Sequence, residues 1–378
     1  MITAKEMMNQ LSKGFSLAPL SFRILETKPR MGARDPGFDL FVEASWQERK
    51  SKFAVEMKPL WTPKVFQGGI NMLKSFSPPK NYRPMLILPF LNEQQLQELE
   101  REGISGVDLC GNGMVVVPGI FAVYRSGAKN RFSTSAPIKN IYRKNTSLVA
   151  RVFLACPSYN SVGEILSEIS RRNELLKDWD KSPMSLSTVS KSLKALNEDL
   201  VVLYAGYEKE EKGIRTEKSW KIRNLSQPDK LLEKLVENYT PPKITSRVKL
   251  KIAAGPETIQ ELLMKRSKEL KLPIMATGLS SVSRYAVMQR GDMLSVYCPR
   301  LETLLERLPG DRSDRFPDLE LIETEDKTVY FDARLKGDFW WASPVQTYLE
   351  LMAGDKRDRE TAEQVRDLLL RDIQKGQK

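Results

Sequence analysis

The chain of 378 residues contains no histidine. That absence removes Ser-His-Asp triads, Cys-His pairs and histidine-ligated zinc or haem. Catalysis by such a chain has to run on carboxylates, lysine, hydroxyl groups or a hard cation held by oxygen ligands. Cysteine is almost as scarce. Cys110, Cys156 and Cys298 lie far apart, at spacings that suit neither a disulfide framework nor a zinc site, and read as reduced thiols. Long apolar runs are missing too. Stretches such as 85–90 fall far short of the ~20 residues of a membrane span, and the first residues carry no apolar core of a signal peptide. A cytoplasmic protein with no membrane partner is expected.

What is present suits a globular protein: 378 residues are enough for two or three domains of ~100–200 residues, and hydrophobic residues make up 41%, ordinary for a chain with buried cores. The net charge is +12, and it is unevenly placed. Residues 1–145 hold 21 Lys+Arg against 12 Asp+Glu, residues 146–225 hold 13 against 11, and residues 226–378 hold 26 against 25. Most of the excess therefore sits in the first segment. A basic domain attracts polyanions, of which nucleic acid is the commonest inside a cell.

The first segment, 1–145, reads as α/β. Residues 38–44 and 52–57 look like two strands joined by a polar turn. Residues 65–76 look like a helix, 85–90 like a short buried strand, and 93–102 like a polar helix capped by Asn92. Residues 107–124 alternate strand-like runs with the turn signals Gly111-Asn112-Gly113 and Pro118-Gly119. A connector helix is expected over 226–242, and 243–378 reads as a mixed α/β domain closed by a charged helix over 359–374.

The segment 146–225 carries the sharpest pattern. Leu186, Val189, Leu193, Leu196 and Leu200 are spaced three, four, three and four apart. That is one face of an α-helix, with Ser185 placed to cap it, and it predicts burial of the first four. The opposite face offers Ser187, Thr188, Ser190, Lys191, Lys194 and Asn197, donors and cations that fit a major groove and its phosphates. Shorter apolar stripes at 148–154 and at Val162, Ile165, Leu166 and Ile169 precede it. Two strand-like runs, 201–204 and 220–222, follow, with Lys212 and Arg215 in the loop between them. Helix, helix, recognition helix and hairpin, in that order, is the winged helix-turn-helix plan. An ordinary amphipathic helix in a helical domain fits the stripe as well. The wing loop also carries Glu208, Glu210 and Glu211, which would repel phosphate. The DNA-binding candidates are thus Ser185, Ser187, Thr188, Ser190, Lys191, Lys194, Lys212 and Arg215, with double-stranded DNA as partner.

On the two early strands stand Asp39 and then Glu56-Met57-Lys58. Alternation along a strand puts Glu56 and Lys58 on one face, and pairing of the strands brings Asp39 near. Two carboxylates can hold Mg²⁺, which lowers the pKa of a bound water, and Lys58 can position that water or balance charge. A plain salt bridge between strands is the alternative. The stretch 38–76 resembles the core of the PD-(D/E)XK restriction-endonuclease-like superfamily. The resemblance implies catalytic roles for Asp39, Glu56, Lys58 and Gln67, with Asp39 and Glu56 as metal ligands. This sequence departs from the pattern in having Gly37-Phe38 before Asp39 and Pro59 directly after Lys58.

In the last segment, Met275-Ala276-Thr277-Gly278-Leu279-Ser280-Ser281 and Trp341-Ala342-Ser343-Pro344-Val345-Gln346-Thr347-Tyr348 resemble the C-terminal region of AbiEi-type antitoxins. These are transcriptional regulators of type IV toxin–antitoxin systems that also carry a winged helix. Read locally, Ser343-Pro344 opens a helix. The Gly-Ser-Ser element reads as a tight turn with a serine cap, or as a phosphate cradle. Together these features imply an α/β and α+β multidomain protein: a restriction-endonuclease-like α/β domain, a central winged helix-turn-helix and a mixed α/β C-terminal domain. The resemblances imply a DNA-binding regulator, with a Mg²⁺-dependent endonuclease as the alternative and a toxin-neutralising interaction module as a third reading. A cognate toxin protein and a second copy of the chain are further candidate partners.

Overall fold

The computed structural model describes residues 2–27, 38–132, 140–179, 184–207, 220–287 and 293–376, with the backbone alone at 206, 207, 220, 221 and 376. The architecture is mixed α/β with several sheets, and the chain divides into two compact units, Met1–Lys139 and Asn140–Lys378.

The first unit opens with α1 (Ala4–Ser12), held by a capping box between Thr3 and Glu6. An eight-stranded sheet follows in sequential order: β1 (Ser16–Leu17), β2 (Leu20–Thr27), β3 (Leu40–Trp46), β4 (Arg49–Met57), β5 (Tyr82–Leu88), β6 (Ser105–Asp108), β7 (Gly113–Val117) and β8 (Phe121–Arg125). The pairs β4–β5 and β5–β6 are parallel and the others antiparallel. Each parallel pair is bridged by a crossover helix, α2 (Pro63–Ser75) after β4 and α3 (Glu93–Arg101) after β5. Thr62 and Asn92 cap these helices through Val65 N and Gln95 N. Both sheet faces are covered. Met7 and Leu11 of α1 pack with Leu40, Val42, Phe53, Val55, Met85 and Ile87. Phe66, Ile70 and Leu73 of α2 and Leu96 and Leu99 of α3 pack with Phe41, Ala54, Leu86 and Leu88. Burial on both faces is why 85–88 is a continuous apolar run rather than an alternating one.

The second unit begins with α4 (Ser147–Ala155), β9 (Ser158–Tyr159), α5 (Val162–Arg172) and α6 (Leu186–Glu198). β10 (Val202–Tyr207) and β11 (Trp220–Leu225) then form an antiparallel hairpin, and β9 adds a third strand on β11. The helix α7 (Pro228–Glu237) leads to a seven-stranded sheet of order β15-β12-β16-β14-β13-β18-β17. Its elements, in chain order, are β12 (Ile244–Lys251), α8 (Pro256–Leu270), β13 (Met275–Ala276), β14 (Leu294–Cys298), α9 (Leu301–Leu305), β15 (Asp311–Arg312), β16 (Leu319–Thr324), β17 (Arg334–Lys336) and β18 (Phe339–Trp341). Two helices close the chain, α10 (Pro344–Met352), capped by Ser343, and α11 (Lys356–Gly376).

The helical part of this unit is welded to its large sheet. Leu176 joins the cluster of Met275, Tyr297, Ile322, Val329, Tyr330 and Ala342. Arg172 at the end of α5 bonds Asp332 Oδ1 at 2.5 Å, while Asp332 N donates to Arg172 O at 2.9 Å. Arg151, buried in α4, donates to Gln346 Oε1 at 3.0 Å and Thr328 O at 3.3 Å. Burial disfavours its charge, so these acceptors are what make the site tolerable.

Two expectations about α6 are corrected. Leu186 is 55% exposed, not buried. It is the first helical residue, and helical side chains lean toward the N-terminus, so it projects off the end of the packed face that Val189, Leu193 and Leu196 occupy. Asn197 is buried rather than outward, and its Nδ2 donates to Val202 O at 2.9 Å, fastening the end of α6 to β10.

Candidate functional site

The candidate side chains fall into two groups, one in each unit. In the first unit, β3 and β4 pair from Leu40↔Val55 to Trp46↔Arg49. One further step of that register sets Asp39, just ahead of β3, across from Glu56. Asp39 N donates to Val55 O at 2.9 Å, and Asp39 Oδ2 accepts from Met57 N at 2.8 Å. The aspartate therefore closes the end of the ladder with its own side chain, beside the Glu56-Met57-Lys58 run.

Glu56 is 2% exposed and forms an ion pair with Lys58. Lys58 is partly exposed and its Nζ also lies 3.9 Å from Met72 Sδ of α2. The salt bridge is real, but it runs along β4 rather than between strands, and its carboxylate is buried. All three residues stand at the carboxyl end of β4, the first strand of the parallel set, which is where open α/β sheets place ligands. Gln67 is positioned differently: its Nε2 donates to Glu98 of α3, so it braces α2 against α3. Among the described residues no group of three or more His, Cys, Asp or Glu is placed to hold a metal. A cation on Asp39 and Glu56 would need water or phosphate oxygens to fill its shell.

Next to this end of the sheet, and unremarked by the sequence reading, Asp108 is buried and accepts from Leu91 N, Cys110 N, Gly111 N, Asn112 N and Asn112 Nδ2 at 2.7–2.9 Å. It organises the Cys110–Gly113 turn and has no capacity left for a ligand. Gly111-Asn112-Gly113 was the only local signal of it.

In the second unit, the inner face of α6 packs Val189, Leu193 and Leu196 against α4 and α5, whose Val149, Val152, Phe153, Ile165 and Ile169 are buried. Ser185 caps α6 through Thr188 N at 3.1 Å, and its Oγ lies 2.9 Å from Thr188 Oγ1. Ser185, Ser187, Ser190, Lys191 and Lys194 are exposed, and Thr188 is half-buried. Neither lysine makes an ion pair among the described residues. The outward face of α6 is thus a row of hydroxyls and ammonium groups.

The hairpin beside it keeps register from Val202↔Leu225 to Tyr207↔Trp220. Arg223 braces it, donating to Asn160 O at 2.7 Å with its guanidinium 5.7 Å from the Tyr204 ring centroid. Lys212 and Arg215, and Glu208, Glu210 and Glu211, lie outside the described residues. The third strand, β9, was not legible in the sequence: two residues in a short connection between helices carry no period. Its Tyr159 ring meets Phe153 edge-on at 5.2 Å.

The Thr277–Ser281 turn is no phosphate cradle. Glu350 of α10 fills it from inside, its Oε2 accepting from Leu279 N at 3.1 Å and its Oε1 from Tyr297 Oη at 3.2 Å and Gln346 Nε2 at 3.0 Å. A Cβ at Gly278 would stand 2.7 Å from the Glu350 carboxyl carbon, so any larger residue there would push this hydrogen-bonded carboxylate out of place. Burial raises the pKa of Glu350, opposed by these hydrogen bonds. Ser280 and Ser281 are committed to Ser295 N and Ala342 N. No family model, curated protein or solved structure matches the chain at a significant level.

Proposed function

We propose that the chain is a sequence-specific DNA-binding transcriptional regulator of the winged helix-turn-helix class, similar to AbiEi-type antitoxins and acting in the cytoplasm in toxin–antitoxin or phage-defence control. The observation that carries this reading is the outward face of α6. Ser187, Ser190, Lys191 and Lys194 stand exposed while Val189, Leu193 and Leu196 of the same helix fill a core. A recognition helix needs that division: one face to fix its position, the other supplying small donors for base edges and cations for phosphates. The hairpin β10–β11 takes the place of the wing, and its basic loop residues Lys212 and Arg215 would add phosphate contacts. The C-terminal region enters on its likeness to AbiEi-type antitoxins, and a cognate toxin is the partner that likeness implies. Selection of bound duplexes from a random library, followed by footprinting, tests the reading. It predicts a protected site of defined sequence; recovery of unenriched sequence with no footprint would reject it.

A second reading is favoured by one observation, the meeting of Asp39, Glu56 and Lys58 at one end of β4. In this reading the first unit is a restriction-endonuclease-like domain in which Asp39 and Glu56 would hold Mg²⁺, and that ion would supply a water of lowered pKa for phosphodiester cleavage. The Glu56–Lys58 ion pair would open to admit the cation. Incubation of the protein with plasmid and Mg²⁺, beside Asp39→Ala, tests it: cleavage lost in the variant supports a live site, and equal background supports a DNA-binding relic.

A further inference from the structure

The basic excess of the first segment has a location. Across β2, β3, β4 and β5 the register aligns Ser21↔Ser45↔Lys50 and Arg23↔Glu43↔Lys52↔Tyr82. Residues opposite one another share a face, so these two rows lie together on one side of the sheet. That side is the one α2 and α3 cover further along, where Phe41 and Ala54 are buried. At this end the cover stops. Arg23 and Lys50 side chains are 71% and 59% exposed, and Ser21 and Lys52 are exposed too.

Among the described residues Glu43 is the carboxylate paired with Arg23 and Lys50. Glu43 accepts from Arg23 Nη2 at 3.1 Å and lies 3.8 Å from Lys50 Nζ, while Lys52 Nζ sits 5.9 Å from the Tyr82 ring centroid. Among the described residues Arg23, Lys50 and Lys52 stand against Glu43 and against Glu26, which pairs with Phe41 on the same face, so the open area keeps a positive excess of one charge. The row is flanked by the Ser21 and Ser45 hydroxyls and ends on the half-buried Tyr82, and small hydroxyls beside cations are the makeup of a surface that grips phosphates.

We infer that this sheet end is a phosphate-backbone contact for double-stranded DNA, separate from both α6 and the Asp39–Glu56 end of β4; the inference rests on the DNA-binding reading above. Lys50 and Lys52, two residues apart on a strand, have Cα atoms about 6.8 Å apart, close enough for both side chains to reach one stretch of phosphate backbone. Arg23 sits two strands away, about 9.6 Å across the sheet at ~4.8 Å per strand. The patch reads no bases. It holds backbone and so raises affinity for any duplex equally.

The test uses the full chain with the triple variant Arg23→Ala, Lys50→Ala, Lys52→Ala and, separately, Glu43→Gln. Affinity for a library-selected duplex and for a scrambled duplex of equal length is measured between 50 and 200 mM salt. Each phosphate contact contributes a log–log slope of about 0.9. Over that fourfold salt range the wild type should therefore lose about 40-fold more affinity than the triple variant if each cation holds one phosphate. The loss should be equal on both duplexes, so the ratio between them stays fixed. Glu43→Gln should tighten both, because it frees Arg23 and Lys50, and a merely structural role for Glu43 does not tighten DNA binding. Unchanged affinity and slope in the triple variant, with Lys191→Ala/Lys194→Ala still weakening the complex, would overturn the patch and leave the DNA-binding reading standing. A wild-type chain that binds neither duplex would overturn both. Binding to phosphatidylserine vesicles without binding to duplex would also overturn the patch as a DNA contact.

Discussion

Leu193→Ala and Leu186→Ala remove the same atoms from the same helix, two turns apart, and should have very different consequences. Leu193 is 2% exposed between α6 and its neighbours, whereas Leu186 is 55% exposed at the helix start. Truncating a buried leucine costs the lost transfer energy plus the cavity left behind, ~2–5 kcal/mol. Truncating Leu186 falls within about 0.5 kcal/mol, the ordinary range of surface changes, and alanine's better helix propensity pulls the same way. In a unit of about 240 residues, 1 kcal/mol shifts the melting temperature by ~2–4 °C. Leu193→Ala should then lower the transition of the second unit by roughly 4–20 °C, and Leu186→Ala should barely move it. Calorimetry resolves the two. Equal shifts would mean that α6 does not pack as described, and the division into a core face and a free face would fail with it.

Removing Lys191 and Lys194 together should flatten the log–log salt slope of DNA binding by about 2 if each contacts one phosphate, read by fluorescence anisotropy; a full slope in the double variant would place this face elsewhere than on DNA. Gly278→Ala should destabilise the second unit in urea unfolding, because its Cβ would press on the Glu350 carboxylate at 2.7–3.0 Å; an unchanged midpoint would show that the turn relaxes freely. Hydrogen bonds from Arg171 and Arg172 hold the Glu168 carboxyl down to about 2, so its contribution is complete above about pH 4.5 and fades as pH falls toward 2. The stability gap between wild type and Glu168→Gln should therefore narrow over that window, and a gap independent of pH would contradict the pairing. For the nuclease reading, Glu56→Ala should abolish any Mg²⁺-dependent cleavage while sparing duplex affinity; cleavage that survives the change would exclude Glu56 as a metal ligand.

Elements with a strong local period were legible in the sequence. The four-then-three spacing of Val189, Leu193 and Leu196 gives α6, and the apolar run at 85–88 gives β5 with both faces covered. Leu186 belongs to the same stripe yet is exposed, because a stripe records direction around the helix and not where the partner helices end. The first strands and α1 escaped the reading: α1 carries only Met7 and Leu11 as buried apolar residues, one i, i+4 pair. Long-range polar pairing was invisible as well. Arg151 sits in an apolar helix with its acceptors 177 and 195 residues away, and nothing near Gly278 points to Glu350. Of the candidate sites, the Asp39, Glu56 and Lys58 neighbourhood follows from strand alternation and one hairpin. Gln67 was assigned by resemblance alone, and its amide is turned to Glu98.

A photo-crosslinking amino acid at position 190, on the outward face of α6, reports directly whether this helix meets DNA. In the full chain bound to its selected duplex, the crosslink should form to bases within the footprint and vanish under excess unlabelled duplex of the same sequence. A complex that keeps its affinity but gives no crosslink from position 190 would show that α6 is not the recognition helix.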